Sequence, residues 1–451
     1  MKRVDATQGS LVKLIFQFAI PLIITSLMQH LFDIADKAVL GQMADATAVA
    51  SVGVTSAITT LVLNGFIGLA TGSGIVLARF IGQKSEEKIK ATIETSLLAS
   101  LLFGGFVAAV GVIFAPSFLR LINCPNDCFD GALLYFRIYI ASAPAALLYN
   151  YGSVIVRNLG DTRRPLLYIS ASGVINVVLN VILCLILPQK VAAVAIATAV
   201  SKIISAILIT RRIFQFDDVV KLSLHKMHFH FDSFKLILRF GIPISVSNLL
   251  LPIANLQIVP AINSYGVDAV AGNTAANDLL TIPSSFISGF SAANSTFMGQ
   301  NIGAQNKERV RKTFWYCLAF SVTIGGSIGL FLFLTGEFWV GLIIGTASQA
   351  AIEYAMIRMF FVTAFSFINA ASSIFGGAEH AYGYPVLGTV STILFTLGFR
   401  VVWMNFVYPL APSFAMVMAC FTVSWILNML FKAATVVVIS HRYRKGLYKK
   451  I

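Results

Sequence analysis

Lys13-Leu-Ile-Phe-Gln-Phe-Ala-Ile-Pro21 returns 222 residues later as Lys235-Leu-Ile-Leu-Arg-Phe-Gly-Ile-Pro243. This pair decides the fold: an apolar, proline-containing segment repeated at that distance means two copies of one unit. Other matches hold nearly the same register. Ala48-Val-Ala50 pairs with Ala269-Val-Ala271, Gly68 with Gly289, and Ile81-Gly82 with Ile302-Gly303, all at an offset of 221. Lys88 and Lys90 meet Arg309 and Arg311 at the same offset, and Pro165 meets Pro385 at 220.

Each copy is too apolar for water. Hydrophobic residues make up 57% of the 451-residue chain and charged residues only 12%, with mean hydropathy +0.82. A soluble domain carries roughly 25% charge. Continuous apolar segments run over 11–35, 46–78, 91–121, 130–157, 165–188, 190–212, 234–262, 267–298, 312–336, 350–377, 384–408 and 411–440. Each reaches the ~20 residues that a helix needs to cross a bilayer, and unbroken runs exclude the alternation of a membrane β-barrel. The expected fold is an all-α polytopic membrane protein, with twelve transmembrane helices in two six-helix pseudo-symmetric lobes around a central cleft. Residues 1–212 form the first lobe, 213–233 a cytoplasmic linker, and 234–451 the second lobe with a basic cytoplasmic tail. The run from Leu14 to Phe32 is too long for a signal sequence and no small-residue cleavage site follows it, so helix 1 is expected to be retained.

The net charge of +14 is not a nucleic-acid footprint, because the basic residues do not gather in one patch. Of the 33 Lys and Arg residues, 25 fall at the N-terminus, after helices 2, 4 and 8, in the central connection, or in the tail. Positive loops stay on the cytoplasmic side. Both termini are therefore expected in the cytoplasm, in a multi-pass protein of a prokaryotic inner (plasma) membrane, a monomer whose partner is the lipid bilayer. Parallel repeats of this kind are a transporter plan in which two lobes rock about a cleft; a duplicated bundle without such motion is the alternative.

Acidic residues are scarce and nearly all map to loops or helix ends; Asp33, Asp36 and Asp278 are the exceptions expected deep in their segments. An ionised Asp at the centre of a lipid-facing helix costs ~2.5–3.5 kcal/mol, so such residues are expected to face a cavity. His30, Asp33, Asp36 and Lys37 share an arc of about 120° on helix 1, with Asp33 and Lys37 spaced as an i,i+4 pair. They either line a site or end the helix at the outer interface. Asn176 and Asn180, also i,i+4, aim both amides one way; such amides glue helices together or orient a carboxyl group. Asn150, between Tyr149 and Tyr151, can join them. In the second half Asn273, Asn277, Asp278 and Gln257 are the corresponding cleft candidates. Pro21 and Pro243 each remove a helical hydrogen bond, giving a hinge or a static kink.

Other motifs carry less. Arg157-Asn-Leu-Gly-Asp-Thr-Arg-Arg-Pro165 reads as a tight turn with a proline opening the next helix. His225, His228 and His230 have metal-like spacing without a cysteine; no metal site is expected. Cys184, Cys317 and Cys420 read as packing residues, whereas Cys124 and Cys128 share an outer loop and are spaced to pair on an oxidising side. No phosphate-binding loop for ATP is present, and no nucleophile–base set marks a membrane-embedded enzyme.

Five stretches, in order, resemble the multidrug and toxic compound extrusion family. They are Leu31-Phe-Asp-Ile-Ala-Asp36-Lys-Ala-Val-Leu-Gly41, the Arg157–Pro165 turn, Asn176-Val-Val-Leu-Asn180, Asn263-Ser-Tyr-Gly-Val-Asp-Ala-Val-Ala-Gly272, and Gln300-Asn-Ile-Gly303-Ala304 with the basic run Arg309-Val-Arg-Lys312. The resemblance implies an antiporter that admits H+ or Na+ as a small organic, cationic substrate leaves, with no other cofactor. It implies cation coupling at Asp36, with Asn176 and Asn150 as polar neighbours. Asn180 stands where the family often has a second Asp, and Asp33 where it has Asn. Asn255 and Gln257 are the nearest polar residues to the helix-7 carboxylate of some members, and the reading leans to protons. A flippase of lipid-linked saccharides shares the two-lobe plan; it would line the cleft with cations, for which Lys202, Arg400 and Lys432 are the residues deep in spans.

Overall fold

A computed structural model describes residues 5–44, 46–216, 222, 226–345 and 348–447, without the side chains of Ala46, Ala57 and Lys37. The expected Asp33–Lys37 pairing and the first histidine of the linker, His225, therefore lie outside the described residues.

The described residues form helices and no strand. We number the long segments in chain order. The first repeat has α1 (Leu11–Met43), α2 (Ala46–Gly82), α3 (Glu86–Leu121), α4 (Asn126–Ala141 with Ala143–Asn158), α5 (Arg163–Ile186) and α6 (Lys190–Phe214). The second has α7 (Phe231–Leu256, then the turn Val259–Asn263), α8 (Val267–Gly303), α9 (Lys307–Leu334), α10 (Gln349–Tyr382), α11 (Pro385–Leu410) and α12 (Phe414–Arg444). A short helix, Gly336–Ile344, lies between α9 and α10.

Ten described helices are long and apolar enough to cross a bilayer, eleven if the two parts of α4 make one crossing. The expected count of twelve is thus not fully recovered on apolar length. Its remaining segment does form a helix, the 37-residue α8, but Asp268, Asn273, Asn277, Asp278, Asn294, Gln300 and Asn301 make it more polar than the others. The two parts of α4 meet at 43° at Ser142, and Pro144, two residues on, removes a backbone donor. Pro21 and Pro243 lie inside continuous helices. Caps close other ends: Asn306 accepts from Arg309 N, Ser348 from Ala351 N, and Ser413 from Met416 N, each satisfying a donor that the first helical turn leaves open.

The chain divides into two compact units, Ile24–Ser245 and, for the other, Asp5–Ile23 with Val246–Ile451. The division does not fall at the linker. The first part of α1 packs in the second unit, and the first part of α7 packs in the first. Repeat-related glycines explain both. A Cβ on Gly68 of α2 would stand 2.4 Å from the backbone N of Ser245, and one on Gly289 of α8 would stand 2.5 Å from Ile23 Cγ1. Only a bare backbone admits a helix so closely, as small residues do throughout membrane packing. Gly72 and Gly241 extend the α2–α7 approach, with 2.5 Å between a Cβ on Gly72 and the Gly241 Cα. Aromatic edges fill around α1: Phe16 meets Phe290 at 5.8 Å and Phe18 meets Phe297 at 5.3 Å.

The segment entering each exchanged helix is tied down in its host unit. Arg309 donates through Nε to Ala6 O at 2.8 Å, and through Nη1 and Nη2 to Gly9 O and Gln8 O, each at 2.9 Å. Before α7, buried Glu94 of α3 accepts from His228 N at 3.3 Å and lies 3.2 Å from His230 Nε2, while Thr95 Oγ1 accepts from His230 N. This is where His228 and His230 go. Cys124 and Cys128 carry free thiols.

Every described π-helical segment belongs to the second unit: Ser321–Gly325, Met359–Ala364, Thr392–Gly398 and Trp403–Val407.

Candidate functional site

In the first unit, α1, α5 and α6 bring a polar relay together inside apolar helices. Asp36 is half-buried on α1. Asn180 on α5 uses both amide protons: Nδ2 donates to Asp36 Oδ1 at 2.6 Å and to Asn176 Oδ1 at 3.2 Å. The i,i+4 spacing of the two asparagines makes this possible, because it sets their side chains one turn apart on one face. Asn176 Nδ2 then donates to Thr198 Oγ1 on α6 at 3.4 Å, and Thr198 Oγ1 donates to Val194 O at 2.9 Å. The short first bond is of the charge-assisted kind. Asn180 Oδ1 is buried beside this carboxylate with no hydrogen-bond partner.

One turn beyond Thr198 on α6 lies Lys202. Its Nζ is 3.2 Å from the centre of the Tyr139 ring and makes no hydrogen bond. Tyr139 in turn stacks on Tyr135, with 5.7 Å between ring centres. The ammonium is thus held by the face of an aromatic ring, as a desolvated cation can be.

The expected residues divide accordingly. Asp36, Asn176 and Asn180 are joined by hydrogen bonds. Asp33 is exposed on α1. Asn150 is half-buried, and its Nδ2 donates to Ala146 O at 2.9 Å within its own helix. In the second unit Asp278 is exposed, and its backbone carbonyl accepts from Thr281. Asn273 accepts from Arg358 Nη1. Gln257 is exposed and lines a cavity of about 510 Å³ with Ser264, Asn405 and Tyr408.

Sequence reading missed Thr198, Tyr139 and the position of Arg358. Thr198 and Tyr139 carry no charge and announce nothing alone. Arg358 falls inside the apolar run 350–377, and nothing in the sequence says what receives it. In the structure it lies in the last turn of Gln349–Arg358 and is buried. The legible signal was a cation with no acidic residue at helical spacing.

A hydrogen-bonded carboxylate and a buried ammonium lie within a repeated bundle of apolar helices, the plan of a membrane transporter. The MatE family model matches residues 21–182 and 243–404, one copy per repeat, starting at Pro21 and Pro243. The chain belongs to this family, the multidrug and toxic compound extrusion transporters. It is similar to the probable multidrug resistance protein YoeA of Bacillus subtilis, with 25% identity over 80% of this chain and 78% of that one. The probable multidrug resistance protein YpnP of the same organism is 29% identical over 69% of each chain. Among solved structures, an outward-facing multidrug resistance transporter of the same family superposes with a TM-score of 0.88 at 21% identity, covering 98% of this chain and 99% of the other.

Proposed function

We propose that this protein exports small organic molecules in exchange for an inward-moving cation, with Asp36 as the coupling carboxylate. The observation that carries this reading is the Asp36–Asn180 hydrogen bond with its continuation to Thr198. A carboxylate held this way has one orientation and, beside it, a buried free oxygen on Asn180 that suits an arriving proton donor or bare ion. We take the coupling ion to be a proton rather than Na+. When Asp36 is neutralised its attraction for a cationic centre on the substrate falls, so loading and release alternate. Alternating access of the two repeats carries the site between faces. One charge moving through 100 mV supplies ~2.3 kcal/mol. The distribution of basic residues supports cytoplasmic termini in a prokaryotic plasma membrane, and the chain is read as working as a monomer.

The test is efflux of a fluorescent organic cation from liposomes holding the purified protein, under an imposed proton or sodium gradient. The reading expects proton-driven efflux in wild type and a loss of at least tenfold in Asp36→Asn. Undiminished gradient-driven transport by the variant removes Asp36 from the mechanism.

A further inference from the structure

The second unit has a polar arrangement of its own on the same helices of the repeat, built around a base where the first has an acid. The 222 offset of the Pro21 and Pro243 segments carries Asp33 onto Asn255, and the 220 offset of Pro165 and Pro385 carries Asn180 onto Arg400. In the first unit it is Asp36, three residues past Asp33, that meets Asn180, so the two clusters share helices without sharing every position. In the second an amide on the opening helix meets a base on the fifth: Arg400 Nη1 donates to Asn255 Oδ1 at 2.6 Å.

Arg358 on α10 doubles the charge. Its Nη1 donates to Asn273 Oδ1 at 2.5 Å and its Nη2 to Asn277 Oδ1 at 3.0 Å. The two guanidiniums share one aromatic ring, Phe421 of α12, at 5.2 Å for Arg358 and 4.4 Å for Arg400. They are only 6% and 3% exposed, and the Nε of each is buried without a partner. Among the described residues neither forms an ion pair with a carboxylate.

Two buried like charges held by neutral amides are a costly arrangement in a bilayer, and intramembrane charges of this kind mark function. A guanidinium fork matches the planar oxygens of a carboxylate or the face of a phosphate. Three amide oxygens already occupy such positions. Two of them belong to Asn255 and Asn277, whose side chains are exposed, so an arriving oxyanion can replace them by side-chain rotation. The backbone is specialised at the same points. The π segment Met359–Ala364 follows Arg358 directly, and Thr392–Gly398 and Trp403–Val407 bracket Arg400; π turns frequently accompany functional positions.

We propose that Arg358 and Arg400 form an oxyanion site in the second unit. It takes the carboxylate, phosphate or sulfonate group of the exported molecule, with Asn255, Asn273 and Asn277 holding those places in its absence. This rests on the export reading above and alters the cargo: an amphoteric organic molecule, not a bare cation.

The experiment measures equilibrium binding by fluorescence anisotropy to the purified full chain in a neutral detergent. It needs no ion gradient, so it succeeds or fails independently of coupling at Asp36. The probes are rhodamine B, which carries a free carboxylate, and its methyl ester, which keeps the same cationic ring system. Wild type is expected to bind the free acid at least tenfold more tightly than the ester. Arg400→Gln abolishes that preference, and Arg400→Lys keeps part of it. Asn255→Asp sets a carboxylate against Arg400 from within; it abolishes the preference while its melting temperature equals or exceeds that of wild type, which excludes misfolding as the cause. Equal binding of acid and ester by wild type, or an unchanged preference in Asn255→Asp, overturns the proposal. Competition separates the sources of the anion. Displacement by soluble naphthoate points to a free organic acid, displacement by phosphatidylglycerol in the micelle points to a lipid headgroup, and displacement by neither also overturns it.

Discussion

Asn180 of α5 holds Asp36 of α1 at 2.6 Å while its other amide proton reaches Asn176, so one side chain sets the orientation of the carboxylate and of the relay behind it. Asn180→Ala is therefore expected to lower gradient-driven efflux by about tenfold or more, in keeping with the ~1.5–3 kcal/mol of a hydrogen bond to a charged group. Thr198→Val, which removes only the 3.4 Å end of the relay, is expected to cost less than threefold by the same liposome assay. Equal losses in both variants would show that the relay acts as a unit and not through its first bond.

The Tyr139 ring, not its hydroxyl, holds Lys202. Tyr139→Phe is expected to melt within a degree or two of wild type. Tyr139→Leu leaves a buried ammonium without its aromatic face and is expected to lose about 2 kcal/mol, the scale of a desolvated cation–π contact. Thermal unfolding in detergent compares the two.

Gly68 and Gly289 are repeat partners with unequal tolerance. A methyl at Gly68 meets the backbone N and Cα of Ser245, at 2.4 and 2.5 Å, whereas one at Gly289 first meets Cγ1 of the Ile23 side chain, at 2.5 Å. Backbone cannot step aside and a side chain can. Gly68→Ala is expected to destabilise by about 1–3 kcal/mol, the range for overpacking, and Gly289→Ala by less. Reversal of that order in melting experiments would contradict the close approach at Ser245.

An acid and a base, Glu379 and Lys432, also face each other's helices on α10 and α12. Glu379 is 0% exposed, accepts from Thr435 Oγ1 at 2.5 Å and keeps Oε2 buried without a partner, while the Lys432 Nζ lies against Gly376, one turn earlier on α10. Glu379→Gln and Lys432→Gln are each expected to destabilise, with the double variant less affected than their sum by about 1–3 kcal/mol, the coupling typical of neighbouring groups. Strict additivity would show that the two do not interact.

The fold was readable because membrane burial is written in one dimension: apolar length, and basic residues confined to every second loop. Asp36, Asn176 and Asn180 were readable for a related reason, since polar side chains one turn apart on an apolar helix stand out. Thr198, Tyr139 and Phe421 were not, because their importance comes from what another helix places beside them. Arg358 and Arg400 were visible as charges, but the sequence does not tell which amides receive them. The exchange of α1 and α7 left one trace, the Gly68–Gly289 pair, whose meaning depends on an inter-helix distance that no periodicity encodes.

That exchange has a consequence for biosynthesis. Residues 5–23 leave the ribosome long before the unit in which they pack, which is otherwise built from Val246 onward. The start of the chain must stay unmated in the membrane until the end has been made. A gene cut at the linker would yield two fragments that each lack half a helix of their own core, able to reach the native state only when produced together.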